Sequence, residues 1–388
     1  MSTPETKKKK SSFQAPLCVW LGLSVRNFFK LFAMRPPFHW SKTHRVILAF
    51  AHSIVNSIFN TIESVFYGRK IAKTVVDEEP LFIIGHWRSG TTLLHNLISK
   101  DESYTYCNLY QVLFHGHFLT TESFVTKATA WLLPKTRPMD NMSLGWQHPQ
   151  EDEMFLVQKT LISPYLMLAF QEDTSIYDDH FELTNLSEEK RAFWKQSLMT
   201  FLKKLTLKNP GKKILLKSPT HTFRIPVLLE MFPNAKFVFI SREPYTVYKS
   251  GIHLRKTLFL ENGFCKSTFK GLEDMTLNLY RRLFDVYERD RHLIPEGNLH
   301  ELSFEDLEVD PVEELRKVYE NLNLPGFDKL EQNLKAELAD HHEFRKNKYE
   351  MEDEEMKRRI YEKWKPAFER FGYPSDLDLD GKPARQVV

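Results

Sequence analysis

Residues 81–92 read LFIIGHWRSGTT. The four apolar residues at the start predict a short buried strand, and Thr91 and Thr92 open a helix predicted over residues 91–99. Between them lie Gly85, four further residues and Gly90, a spacing typical of phosphate-binding loops. Glycines let the backbone wrap an anion, and the helix N-terminus presents free N–H groups and the positive end of its dipole. The stretch therefore predicts a strand, a P-loop-like anion-binding loop and a helix.

This loop differs from the nucleoside triphosphate version at one position. That version, G-x-x-x-x-G-K-[ST], has a lysine that reaches the β- and γ-phosphates, and Thr91 stands in its place here. The nearby cation is Arg88, inside the loop, whose planar guanidinium can hold an oxyanion through two parallel hydrogen bonds. We therefore expect an anion shorter than a triphosphate.

After Pro80, short apolar runs alternate with helical patterns, which is typical of a parallel sheet. Further strands are predicted over residues 213–216, 236–240 and 299–304. Helices are predicted over residues 188–207, 223–231, 245–255, 272–292, 311–321 and 352–371. Residues 101–179 are aromatic and lack clear periodicity, so we expect loops and short helices that build an acceptor pocket. The chain is thus predicted to be a single-domain α/β protein with a central parallel sheet flanked by helices.

The first 75 residues differ from the rest. Residues 1–12 carry four consecutive lysines and predict a disordered basic tail, residues 13–75 predict an amphipathic helical N-terminal extension, and residues 76–388 form the main domain. Apolar residues recur at helical spacing over residues 46–67. This pattern leaves two interpretations open, which are a helix packed on the domain and a helix lying on a membrane surface.

Neither a spanning helix nor a signal peptide is predicted near the N-terminus. The apolar run at residues 15–23 is followed by Arg26 and Lys30 before it reaches spanning length, and it lacks a small-residue cleavage site. We therefore expect a cytoplasmic protein. The membrane-surface interpretation adds peripheral contact at the inner membrane face through residues 15–67.

The composition limits the classes of function. The chain has 388 residues, 42% of them hydrophobic and 27% charged, and a formal net charge of +3. This near-neutral balance gives no overall field that would attract nucleic acid, so we expect no nucleic-acid partner. Cys18, Cys107 and Cys265 have neither zinc-site nor disulfide spacing. The oligomeric state stays open.

Cations follow two of the other predicted strands. The segment KFVFISREP, residues 236–244, delivers Arg242 to the C-terminal end of a strand, where ligands bind in open α/β sheets. Ser250 follows in the next helix, within reach of the same ligand. The segment ILLKSPTH, residues 214–221, places Lys217 at the end of another strand. Together with the glycine loop, these strand ends would hold a ligand that is anionic at both ends.

The motif Arg88-Ser89-Gly90-Thr91-Thr92 resembles the 5′-phosphosulfate loop of the sulfotransferase superfamily, and most closely the bacterial family related to tyrosylprotein sulfotransferases. The resemblance implies that 3′-phosphoadenosine 5′-phosphosulfate (PAPS) is the donor and that residues 76–388 are the sulfotransferase domain. It implies that the five loop residues bind the 5′-phosphosulfate, and that Arg242 and Ser250 bind the 3′-phosphate.

The resemblance also assigns the cations that act on the transferred group. Lys217 would contact the bridging oxygen or the sulfuryl group, and Arg88 would share this catalytic role, since fixed cations stabilise charge that builds on the leaving phosphate. No metal is required, because these cations do what Mg²⁺ does in phosphoryl transfer. A late basic loop containing Arg345 and Lys346 would close over the 3′-phosphate, although a solvated charge run explains the same residues.

The general base does not follow from the resemblance. Cytosolic members have a histidine two residues after the strand-end lysine, where this chain has Pro219. Tyrosylprotein members have a glutamate about twenty residues after the loop arginine, where this chain has no acid. The remaining candidates come from residues 149–153, PQEDE, and from the segment after Lys217. They are Glu151 first, then Asp152 and His221, with His86 as a weaker option.

The sequence therefore predicts a sulfotransferase that uses PAPS and a small hydroxylated acceptor. The aromatic residues between 104 and 177 and the N-terminal extension favour a hydrophobic acceptor, such as a lipid, a sterol or a similar alcohol. Two alternatives stay open: a P-loop-type small-molecule kinase, and an inactive nucleotide-binding protein associated with a membrane.

Overall fold

The structure is a computed structural model that describes residues 18–133, 145–340, 353–375 and 377. The predicted basic tail over residues 1–12 lies outside these residues, and so do Arg345 and Lys346. The prediction of a closing basic loop is therefore untested, and so is the predicted disorder of the tail.

Five parallel strands form the sheet at the centre of the described chain. They are β1 (Leu81–Gly85), β2 (Tyr104–Thr105), β3 (Lys213–Lys217), β4 (Lys236–Ser241) and β5 (Leu299–Ser303). Their order is β2-β3-β1-β4-β5. Because β3 and β4 are the two neighbours of β1, the segments that follow these three strands emerge side by side at one edge of the sheet.

Helices cover both faces of the sheet and form the N-terminal extension. They are α1 (Val25–Ala33), α2 (Thr43–Lys73), α3 (Thr91–Ile98), α4 (Leu109–Leu113), α5 (Phe118–Thr129), α6 (Glu153–Thr160), α7 (Met167–Phe170), α8 (Glu188–Lys208), α9 (Ile225–Met231), α10 (Pro244–Asn262), α11 (Leu272–Asp290), α12 (Phe304–Val309), α13 (Pro311–Asn321), α14 (Phe327–Asp340) and α15 (Glu354–Phe371). Short 3₁₀ segments include Val19–Gly22, Pro164–Leu166 and Pro219–Arg224.

The predicted α/β architecture is confirmed, and the four predicted strands agree with the structure to within one residue at each end. Within residues 101–133 and 145–179, the structure has loops and short helices, as expected, apart from the short strand β2. The two-residue strand β2 and helix α14 were not predicted. The former is too short to show a pattern. The helix predicted over residues 223–231 begins as a 3₁₀ segment at Pro219, and α9 starts only at Ile225.

The sheet is buried on both faces, and each central strand alternates between two hydrophobic clusters. Phe82 and Ile84 of β1 pack with Phe237 of β4 on one face. Leu81 and Ile83 pack with α13 and α14 on the other. Parallel strands that are covered on both faces read as continuous apolar runs, which is why the sequence identified them.

Helix α2 differs from the usual amphipathic helix, which buries its apolar side against the domain. It is 31 residues long, and its buried residues are Ala49, Ser53, Asn56 and Glu63. Many of its large apolar side chains face outward instead, and Val65 and Phe66 are 76% and 70% exposed. By length and composition, the stretch Trp40–Lys73 could cross a membrane, and 22% of its most apolar window is buried. The helix thus docks on the domain through a largely polar edge and exposes an apolar one.

Candidate functional site

The backbone conformation of the phosphate-binding type of loop, residues 85–90, depends on its two glycines. Gly85 has φ 140° and Gly90 has φ 103°, a region that glycine alone adopts without strain. A Cβ on Gly90 would also overlap the ring of Phe304. The Gly85 N–H donates to Thr222 Oγ1 at 2.9 Å, and Ser89 Oγ donates to the His86 carbonyl at 2.8 Å. The loop is therefore fixed from both sides while the N-terminus of α3 stays directed into it.

Arg88 lies at the centre of this loop in a strained backbone conformation, with φ 74°. Its Nε donates to Ser250 Oγ at 2.7 Å, which brings together the predicted 5′ and 3′ ends of the donor site. A non-glycine residue in the left-handed region costs about 1 kcal/mol or more. Such strain is maintained where the surrounding structure needs that side chain in that direction.

Arg242 approaches the loop from the end of β4. Its Nη1 donates to the Arg88 carbonyl at 3.2 Å, and its guanidinium lies 4.0 Å from the centre of the Phe304 ring. Burial lowers the pKa of Arg242, and the nearby Arg88 lowers it further against the opposing effect of Glu305. Two guanidinium groups at one site repel each other, so the arrangement favours a bound anion.

Ser250 is placed by the local structure of α10. Glu243 caps this helix, because its carboxylate accepts the backbone N–H groups of Tyr245 and Thr246 at 2.8 and 2.7 Å. Pro244 occupies the first helical position, where its missing N–H is not needed. Glu243 is thus engaged as a helix cap, and Ser250 faces the loop from two turns into the helix.

Lys217 joins the loop to the acidic segment. At the end of β3, its ammonium group donates to Glu151 Oε1 at 2.8 Å and lies 3.4 Å from Thr92 Oγ1. The side chain is 2% exposed. The sheet therefore brings the three sequence motifs together, as the order of β1, β3 and β4 requires.

Glu151 is the member of the acidic segment that lies in the site. Its Oε2 accepts a hydrogen bond from the Tyr165 hydroxyl, which in turn accepts from Trp87 Nε1 at 3.1 Å. The Glu151 side chain is 20% exposed, so a ligand can reach it. Its two oxygens are thus held by different partners, Lys217 on one side and Tyr165 on the other.

Asp152 and His221 are engaged with each other, which makes Glu151 the better placed of the three candidate bases. Both side chains are 0% exposed, and His221 Nε2 lies 2.8 Å from Asp152 Oδ2. Ser218 Oγ donates to the other oxygen at 2.8 Å. Burial opposes ionisation of Asp152, but His221 and the hydrogen bonds from His221 and Ser218 outweigh it, and the pKa of Asp152 is lowered.

Glu153, the next acid, is also held by buried contacts. Glu153 forms a fully buried ion pair with Arg224 at 2.5 Å and accepts from Thr220 Oγ1 at 2.6 Å. Three consecutive acids therefore point in different directions at the start of α6. The inner two fix the segment against the turn after β3, so that Glu151 is held at the mouth of the site.

His86, the weaker option for the base, is also buried and engaged with the backbone. It is 3% exposed, and its Nδ1 lies 2.7 Å from the Trp87 carbonyl. Burial, and then the charge of Arg255, lower the pKa of His86 to about 3. The ring is therefore neutral and supports the loop from inside.

Tyr165 and Trp87 were not identified from the sequence. Tyr165 lies in the 3₁₀ segment Pro164–Leu166, inside the aromatic region whose pattern gave no orientation. No group of three or more histidine, cysteine, aspartate or glutamate side chains that could hold a metal occurs within the described ranges.

Comparisons with known proteins agree with this site. A family model described as "Sulfotransferase family" matches residues 80–329. The chain is 38% identical over 354 residues to the omega-hydroxy-beta-dihydromenaquinone-9 sulfotransferases Stf3 of Mycobacterium bovis and Mycobacterium tuberculosis. The alignment covers 91% of this chain and 89% of each relative.

Solved structures share the fold at low sequence identity. Sulfotransferase STF9 from Mycobacterium avium superposes with a TM-score of 0.65 at 18% identity, covering 92% of this chain and 91% of its own. Sulfotransferase STF1 from Mycobacterium tuberculosis H37Rv gives 0.61 at 16% identity, covering 87% and 90%. The family match spans more than half of the sequence and the curated relatives align along nearly all of it, so the chain belongs to the sulfotransferase family and is a PAPS-dependent sulfotransferase.

Proposed function

We propose that this enzyme transfers the sulfuryl group of PAPS to the hydroxyl of a hydrophobic, lipid-like alcohol, with Glu151 as the general base. The observation that carries the proposal is the chain of contacts from Thr92 through Lys217 to Glu151. In this chain of contacts a buried cation lies between the donor loop and a partly exposed carboxylate, where we expect donor and acceptor to meet.

The donor would lie across the ends of β1, β3 and β4. Its 5′-phosphosulfate would bind at Arg88, Ser89, Gly90, Thr91 and Thr92. Its 3′-phosphate would bind Arg242 and Ser250. The contact between Arg88 and Ser250 supports this assignment, because one compact nucleotide can touch both. A phosphate here would relieve the repulsion between Arg88 and Arg242.

The chemistry follows from an exchange of partners at Lys217. With donor bound, its ammonium group would turn from Glu151 to the bridging oxygen and stabilise charge on the leaving 5′-phosphate. Glu151 then accepts the acceptor's proton as the hydroxyl oxygen forms its bond to sulfur. The bond from sulfur to the bridging oxygen breaks, and adenosine 3′,5′-bisphosphate leaves with that electron pair.

The acceptor class rests on the relatives and on the exposed apolar surface. The relatives that are 38% identical act, by their names, on a hydroxylated dihydromenaquinone. In this chain, α2 exposes apolar side chains that water does not favour. We infer that the acceptor is a hydroxylated lipid taken from a membrane.

Membrane contact would be made by the extension, within residues 15–67 together with the end of α2. Phe29 and Trp40 are 58% and 76% exposed, and with the outer side of α2 they give an apolar surface suited to an interface. The location that fits is cytoplasmic, with the protein peripheral at the inner membrane face.

The test is transfer from ³⁵S-labelled PAPS to a panel of hydroxylated quinones, sterols, fatty alcohols, sugars and tyrosine peptides, each supplied in detergent or vesicles. We expect labelled product with the hydrophobic alcohols. Lys217→Ala should abolish it, whereas Lys213→Ala at the other end of β3, where Lys213 pairs with Glu79 at 3.1 Å, should not.

Two results would contradict the proposal. Labelling of sugars or tyrosine peptides alone would overturn the acceptor class. Binding of adenosine 3′,5′-bisphosphate with no transfer to any acceptor would favour the inactive nucleotide-binding alternative. Family membership argues against the kinase alternative. The loop sequence agrees, because Thr91 stands where the triphosphate-binding loop has its lysine.

A further inference from the structure

A large concavity lies between the N-terminal extension and the domain. Its volume is about 1220 Å³, and α1, α2, α6 and α8 contribute most of its lining. Arg88, Lys217 and Arg242 are not among the lining residues, so this groove is separate from the donor site. Part of its lining is apolar and comes from Phe155, Ile162 and Phe201.

Cations dominate the charged part of the groove. Arg26 and Lys30 come from α1, Lys159 from α6 and Lys190 from α8. None of these four forms an ion pair with an acid of the described chain. Two acids line the groove. Glu63 is already paired with Lys204 at 2.5 Å, and Glu189 remains.

Two of these cations, Arg26 and Lys159, are close enough to act on each other. Burial lowers the pKa of Lys159, and the charge of Arg26 lowers it further. Like charges that share a concave surface without counter-ions destabilise the folded chain. A bound anion removes this repulsion, and the neighbouring apolar lining is suited to an anion that carries a hydrocarbon chain.

The groove lies beside the apolar surface of α2. Asn60, Glu63 and Ser64 of this helix line the groove, while Val65 and Phe66 next to them are exposed. On α1, the exposed Phe29 precedes Lys30, and its ring packs 6.0 Å from that of Phe50 on α2. Cationic and apolar side chains are therefore interleaved along one edge of the extension.

We propose that this groove binds the phosphate headgroup of an anionic phospholipid when the extension rests on a membrane. The inference rests on the proposed membrane contact and adds a lipid class to it. The apolar side chains of α2 would provide contact with any bilayer. The four cations would provide selectivity for anionic lipid, at about 1 kcal/mol for each cation near the surface.

The experiment is flotation of the full chain with phosphatidylcholine vesicles, with and without phosphatidylglycerol. We expect binding to both and tighter binding to the anionic vesicles. A variant carrying Arg26→Gln, Lys30→Gln, Lys159→Gln and Lys190→Gln should lose the anionic preference, by about fivefold in affinity for each removed charge. Its binding to phosphatidylcholine alone should be unchanged.

A charge-matched variant separates the groove from net charge. It carries Lys212→Gln, Arg358→Gln, Lys363→Gln and Lys365→Gln, none of which lines the groove, and it should keep the anionic preference. Circular dichroism and adenosine 3′,5′-bisphosphate binding check that both variants are folded.

The outcomes distinguish the two proposals. Equal loss of the preference in both variants, or its retention in the groove variant, would overturn the headgroup site. If the native chain does not bind phosphatidylcholine vesicles, the proposed apolar contact of α2 with the membrane is wrong. If free inorganic phosphate competes for the groove as effectively as the anionic vesicles do, the groove binds a soluble anion. This result would contradict the lipid proposal.

Discussion

Glu151 makes the most direct prediction at the level of single residues. Glu151→Gln keeps the shape and the hydrogen-bonding reach of the side chain but removes its capacity to take a proton. We expect kcat to fall by about 10²- to 10⁴-fold, the usual contribution of a general base, with donor affinity unchanged. Steady-state kinetics and calorimetry with adenosine 3′,5′-bisphosphate measure the two quantities.

The control for this substitution is Glu79→Gln, which removes a carboxylate outside the site. Glu79 pairs with Lys213, which lies on β3, the strand that also carries Lys217. The control substitution should leave kcat within about twofold, which is less than the effect of losing one catalytic hydrogen bond. Full turnover in Glu151→Gln would show that the base lies elsewhere in the chain.

Tyr165 is expected to act through Glu151. Its hydroxyl holds the carboxylate oxygen that Lys217 does not, so Tyr165→Phe should lower kcat about tenfold or more by loosening the base. Tyr319→Phe is the matched control, because its buried hydroxyl also donates to a carboxylate, Asp101 Oδ2 at 2.6 Å, within the cluster on the other face of the sheet.

A double-mutant cycle tells positioning from simple structural support. If Tyr165 works through the base, adding Tyr165→Phe to Glu151→Gln should cause little further loss of kcat. Additive losses would mean that the tyrosine contributes through a separate route.

Arg242 should affect binding more than turnover. Arg242→Ala removes a guanidinium from the proposed 3′-phosphate site, and we expect donor affinity to fall by about 1.5–3 kcal/mol, the scale of a charge-assisted hydrogen bond. Arg316→Ala is a close control, since Arg316 also lies over a phenylalanine ring, at 4.7 Å from that of Phe327. An equal loss of affinity in both variants would count against the phosphate contact.

The sequence identified these residues to different degrees, for a physical reason. Arg88, Lys217 and Arg242 each follow a buried strand, and the ends of parallel strands meet at one edge, so their convergence could be predicted. Glu151 was chosen from three adjacent acids only by preference. The side-chain directions at the start of α6, and the position of Tyr165, depend on tertiary packing that no periodicity records.

At the scale of elements, the loop between β1 and α3 depends on the absence of a side chain at one position. Gly90→Ala would place a Cβ against Phe304 at φ 103°, so we expect a loss of about 2–4 kcal/mol in the free energy of unfolding and weakened donor binding. Gly211→Ala has a similar backbone conformation, φ 80°, with open space around it. It should cost about 1 kcal/mol.

Urea unfolding and donor titration on both variants check this comparison. Equal destabilisation would mean that backbone strain alone matters and that the contact with Phe304 contributes nothing.

The position of α2 shows what could not be predicted from the sequence at this scale. The spacing of apolar residues predicted α2, but not that its buried edge would be the polar one, since the docking partners of that edge are distant in sequence.

At the scale of the whole molecule, buried histidines make stability depend on pH. Burial lowers the pKa of His86 to about 3 and the pKa values of His117 and His180 to about 4, from 6.5 in the unfolded chain. Between these values the unfolded chain binds protons that the folded chain does not. The free energy of unfolding should therefore be intact above pH 6.5 and fall as the pH drops toward 4.

Each such histidine adds a slope of about 1.4 kcal/mol per pH unit in that window. Urea unfolding at several pH values between 7 and 4 measures the total. His117→Gln, chosen because it lies outside the donor site and bonds to Thr121 and Asn56, should reduce the slope by about one proton. The exposed His253→Gln should leave it unchanged. A slope insensitive to His117→Gln would mean that acid unfolding is driven by other groups, and the buried pair of Asp152 and His221 would be examined next.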